Sequence, residues 1–201
     1  MKIISALLHP LLMATYSSIL LFWLMPEIYS PIPYESIPYF IGAVFVTTFL
    51  IPSISILFLM LTKRISSLEI TSREERSLPF LSIGMFYAIT SYMFYTKMSV
   101  PHTIMIIMIM VTLLIFLIFL ISFVLKISVH SAGIWGVAGL FSAFTIKYLS
   151  TAFILPLAII FIVAGVTTAS RLYLGRHTPM ESWAGVLFGF FFCFSGFYWF
   201  G

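Results

Sequence analysis

The sequence predicts an all-α, polytopic transmembrane helical bundle of about six or seven spans, a single domain over residues 1–201. Two observations predict it. The chain is 62% hydrophobic and only 8% charged, with a mean hydropathy of +1.16, whereas roughly a quarter of an average globular chain is charged. Its apolar residues also come in runs close to the ~20 residues that a helical span needs. These runs are too long and too unalternating for barrel strands. Lipid leaves no backbone group to water, so each run is read as helix. The net charge of +4 is too small and too scattered for nucleic acid, and on a membrane protein it reports first on orientation and headgroups. Membrane lipids are therefore the first expected partners. Cys193 is the single cysteine, so no internal disulfide forms.

In chain order, residues 4 to 25 read as a first, uncleaved span, with no small-x-small cleavage site. His9 is its one titratable group and reads as an interface or packing histidine. EIYSPIPYESIPY is a Pro- and Tyr-rich interfacial loop. The second span, about 37 to 62, carries Pro52, which is expected to bend it. Residues 63 to 79, KRISSLEITSREERSLP, form the longest polar stretch. Spans three and four, about 79 to 98 and 102 to 125, are joined by Ser99-Val100-Pro101 and are expected to form a tight antiparallel hairpin. His102 reads as a surface residue at that turn. KISVHSAG, residues 126 to 133, breaks the apolar pattern before spans five and six, about 131 to 148 and 152 to 169. The segment SRLYLGRHTPME, residues 170 to 181, precedes span seven, about 181 to 200.

Two, four and six spans precede the three polar segments, so all three are expected on one face of the membrane. Lys2, Lys63, Arg64, Arg73, Arg76, Lys126, Arg171 and Arg176 lie on that face, against Lys97 and Lys147 on the other. The positive-inside rule makes that face cytoplasmic. A chain that gathers its polar groups on one side has built a site or a docking surface there.

The segments supply Arg73, Arg76 and Arg171 as anion holders, His130 and His177 as acid, base or nucleophile, and Glu181 as an orienter. Guanidinium groups bind phosphate through paired donors and stabilise charge that develops in a transition state. No metal and no cofactor are expected, because the His and Glu spacing matches no zinc signature and the arginines repel a cation. Structural readings stand beside these. His130 also suits a capping or packing role next to Ser131, Ala132, Gly133 and Gly136. Arg73 and Arg76 also suit a solvated charge run with Glu74 and Glu75. Thr178-Pro179-Met180-Glu181 also fits a capping box at the start of the last span.

Ser170-Arg171, five residues, His177, three residues and Glu181 resemble the third signature of the type 2 phosphatidic acid phosphatase (PAP2) family, with Glu where that family usually has Asp. Gly185 and Gly189 in the continuation look like the family's final helix. Ile127-Ser128-Val129-His130 resembles its second signature, Pro-Ser-Gly-His, at two of four positions. SREERSLP resembles the first loosely, with two residues between Arg76 and Pro79. The resemblance covers roughly residues 63 to 190 and implies a PAP2-like bundle. It further implies metal-independent hydrolysis of a phosphate ester or diphosphate of an amphiphilic lipid in a bacterial inner membrane. It makes His177 the nucleophile that becomes a phosphohistidine, His130 the general acid and Glu181 the orienter of His177. Arg73, Arg76, Ser128, Ser170 and Arg171 would hold the phosphate. Many bacterial relatives act on the outer face, against the positive-inside reading. A phosphotransferase, a non-catalytic lipid-phosphate binder and a transporter are the alternatives; the substrate lipid and the oligomeric state stay open.

Overall fold

A computed structural model describes residues 6–67, 74–98 and 100–201. The chain forms α1 (Pro10–Leu24), α2 (Tyr34–Leu61), α3 (Ser77–Lys97), α4 (His102–Ser122), α5 (Val129–Tyr148), α6 (Thr151–Tyr173) and α7 (Pro179–Phe200), and no strand occurs among the described residues. Helices α2 to α7 are each long and apolar enough to cross a bilayer. The chain is thus an all-α, integral, multi-pass membrane protein.

The first apolar run is shorter as a helix than its composition suggests. His9 is extended, with φ −66° and ψ 134°, and its ring Nδ1 accepts the Leu11 amide over the turn that Pro10 opens. The residue before a proline is pushed out of the helical region, while proline itself suits the first helical position. The helix therefore starts at Pro10, after His9. At ~1.5 Å per residue, Pro10–Leu24 reaches about 22 Å, short of a ~30 Å hydrocarbon core.

Two compact units make up the chain: Ala14–Lys126, and the N-terminal residues up to Met13 with Ile127–Gly201. In the first unit, α3 and α4 pack along their lengths as the expected hairpin. Ser91 and Thr112 hydroxyls pair across it at 3.1 Å, and the Phe116 ring fills the space left by Gly84. Helix α2 widens into a π-turn over Val46–Leu50, just ahead of Pro52. Proline offers no amide to the preceding turn, so the ladder must be re-routed there. One turn earlier, the Thr48 hydroxyl donates to Val44 O at 2.7 Å and that of Thr47 to Ala43 O at 2.8 Å, so both threonine hydroxyls are satisfied within the helix.

The second unit is built on a seam between α5 and α7. A Cβ on Gly139, Gly185 or Gly189 would come within 3.0 Å of a backbone oxygen of the facing helix, at Phe190, Ser128 and Ala132 respectively. Only glycine permits backbones to meet this closely, and close approach replaces hydrophobic driving force between helices in lipid. Helix α6 lies against α5 through the Trp135 indole, which donates to Thr168 Oγ1 at 3.0 Å and packs edge-on to Phe161 and Phe190. At the other end of the seam Phe144 stacks on Phe197, with ring centroids 4.2 Å apart. The N-terminal segment closes this unit. Met13 packs with Ile134 and Ala164, and Pro10 sits over Gly133. Leu155, Ile162, Phe191 and Trp199 are exposed on its outside, the face a bilayer covers.

Candidate active site

The turn between α6 and α7 is defined at both ends. Gly175 adopts φ +63°, its amide donates to Leu172 O at 2.9 Å, and the Arg176 amide donates to Arg171 O at 3.2 Å. This pair of bonds is the Schellman ending, which favours glycine at the left-handed position. His177 follows, and then Thr178 caps α7. The Thr178 hydroxyl accepts the Glu181 amide at 3.3 Å, and Glu181 Oε2 accepts the Thr178 amide at 3.4 Å. The capping box expected from Thr178-Pro179-Met180-Glu181 is therefore present.

The same oxygen holds the histidine. Glu181 Oε2 lies 2.8 Å from Nδ1 of His177, whose side chain is 5% exposed. A carboxylate only accepts, so the neutral imidazole carries its proton on Nδ1 and presents a lone pair at Nε2. The contact to His177 and the helix cap thus share one carboxylate oxygen.

A backbone bond joins the second polar segment to the third. The Ser128 amide donates to the Glu181 carbonyl at 3.1 Å. Ser128 is the N-cap of α5, and its Oγ accepts the Ser131 amide at 3.4 Å and the Ser131 hydroxyl at 3.0 Å. Helices α5 and α7 thus begin side by side, and α6 ends at the turn that leads into α7. Two helix N-termini at one end favour bound anions. His130 stands in the first turn of α5, half-buried. Arg171 is buried in the last turn of α6.

A third ring belongs to this group. The His9 and His130 centroids are 5.5 Å apart in edge-to-face geometry. Burial, and then the positive charge of Arg171, lower the His9 pKa to about 4. The isolated position of His9 in an apolar run hid this in the sequence; the His9-Pro10 break was the available signal.

His130, Arg171, His177 and Glu181 therefore lie in one unit, with His177, Glu181 and the His130-bearing turn directly linked. Ser128 and Ser170 belong to that unit with their hydroxyls fully buried, Ser128 at its cap and Ser170 donating to Thr167 O at 2.8 Å. Arg76 belongs to the other unit, buried at the end of a 3₁₀ turn, Glu74–Arg76, that leads into α3. Neighbouring Glu75 accepts the Ser66 hydroxyl at 2.9 Å. Arg73 lies outside the described residues. Among those described, no three His, Cys, Asp or Glu side chains gather as a metal ion requires. No family model, curated protein or solved structure matches the chain.

Proposed function

We propose that this protein is a membrane lipid phosphatase of the PAP2 type, in which His177 takes up the phosphoryl group and His130 handles the proton. The observation that carries the reading is the 2.8 Å contact of His177 Nδ1 with Glu181, in a turn bonded through Ser128 to the start of the His130 helix. A buried imidazole with a carboxylate on one nitrogen is oriented to attack through the other.

In the first step Nε2 of His177 attacks phosphorus as the ester P–O bond breaks, and the departing alkoxide takes a proton from His130. Water then attacks the phosphohistidine, giving its proton to His130, and the P–N bond breaks to release inorganic phosphate. Arg171 and the amide ends of α5 and α7 offset the charge that builds on the phosphoryl oxygens. The substrate is an amphiphile whose tails stay in lipid. The setting, by resemblance, is a bacterial inner membrane, and no metal is required.

Detergent-purified protein with EDTA present should release phosphate from phosphatidic acid or an isoprenyl diphosphate, and orthovanadate should inhibit it. His177→Ala should abolish release, and His130→Ala should slow it by ~100-fold or more. Full activity in His177→Ala would remove the assignment. Lipid-phosphate binding with no turnover would point instead to a non-catalytic binder.

A further inference from the structure

The N-terminal residues up to Met13 belong to the unit that carries the histidines. Their placement is specific. Pro10 lies over Gly133, where a side chain would meet it at 3.2 Å, and Met13 packs on Ile134 and Ala164. Gly133 and Ile134 are one turn along α5 from His130, so this packing sets the register of His9 against the His130 ring, 5.5 Å away. The Leu11 amide donates to Nδ1 of His9 at 3.3 Å, which puts the imidazole proton on Nε2 and fixes the tautomer.

We propose that His9 is a positioning residue of the candidate site: a neutral imidazole, pinned by the Leu11 amide, whose ring holds the ring of His130 for proton transfer. The reading of His130 as general acid rests on the proposed function; the ring contact does not. His130 on α5 and Arg171 on α6 face His9, and among the described residues Tyr173, Arg176, His177 and Glu181 are further ionisable groups at this end of the unit. With its pKa lowered to about 4, His9 is uncharged at neutral pH. It therefore adds no positive charge to a site that already holds Arg171. Edge-to-face rings at this separation are held by quadrupole contact as well as by packing.

Two substitutions separate ring from cap. His9→Asn keeps an acceptor for the Leu11 amide, since Asn is a favoured cap, but removes the ring. His9→Phe keeps the ring and removes the acceptor. The full chain, labelled with ¹³C-histidine in detergent, is titrated by NMR with and without orthovanadate, and phosphate release is measured in parallel. His9→Asn should displace the His130 midpoint by about half a pH unit or more. It should also lower kcat about tenfold at unchanged KM, as misplacement of an acid would. His9→Phe, which keeps the ring without its pin, should stay closer to wild type than His9→Asn in both. A wild-type His130 midpoint and kcat in His9→Asn would overturn the proposal, as would equal damage in the two variants. If wild-type protein releases no phosphate the phosphatase reading fails, and the displaced His130 midpoint still decides the ring contact.

Discussion

Glu181 gives one carboxylate oxygen two tasks, and chemistry can separate them. Glutamine also serves at the third position of a capping box, so Glu181→Gln should keep the start of α7, with stability changed by less than about 0.5 kcal/mol. It loses the charge that favours the imidazolium and the reactive tautomer. Phosphate release should then fall by about two orders of magnitude, short of the abolition expected for His177→Ala. Thermal unfolding and phosphate release on the same preparation check this. His9 makes a prediction about pH. Its pKa is about 4 when folded and 6.5 ordinarily, so between these values the unfolded chain binds the extra proton and stability rises with pH. Stability should fall as pH drops from about 6.5 towards 4, by on the order of 3 kcal/mol in all, and His9→Asn should flatten that slope in unfolding measured at pH 4.5 and 7.5. The four-residue spacing made the pairing of His177 with Glu181 legible in the sequence, but the contact forms by Glu181 folding back over the Thr178 cap, with His177 just outside the helix. The partnership of His9 was not legible, since a lone histidine in an apolar run carries no spacing to read.

At the scale of elements, the helices follow from where backbone groups must be satisfied, and the misjudged boundary has the same cause. Hydropathy reads through His9-Pro10 as greasy residues, whereas the proline forces the preceding backbone to be extended and starts α1 there. Pro52, read in the sequence as a bend, is preceded by a π-turn over Val46–Leu50. Gly185 and Gly189 stood out by their four-residue spacing; Gly139 did not, because its counterpart is the Phe190 carbonyl on a helix distant in sequence. The Ser128-to-Glu181 bond was likewise invisible, since any residue can supply an amide or a carbonyl. Gly189→Ala should force the Ala132 backbone away and destabilise the protein by about 1–3 kcal/mol, the usual range for overpacking. Gly165→Ala, at a position with nothing within 4 Å, should be neutral within about 0.5 kcal/mol. Paired melting curves in detergent test the contrast.

For the whole molecule, composition alone conveyed that this is a bundle in lipid, because a chain so poor in charge has no other solvent to fold in. In the second unit α5 and α6 separate the second polar segment from the third, so two crossings bring both to one face. Within the second unit this is testable. Cys193 is buried, so the native thiol should stay silent to a membrane-impermeant maleimide. Leu149→Cys and Met180→Cys, both highly exposed and separated by α6, should label from opposite sides. Labelling of both from one side would mean that α6 does not cross. The glycine seam carries a last consequence. His130 rides on α5 and His177 on the turn that opens α7, two helices whose main chains touch, and such neighbours neither slide nor part without losing the contact that joins them. In the phosphatase proposed above, this pair would be a fixed anvil: the lipid would have to come to it sideways from the bilayer, not through a breathing of α5 against α7.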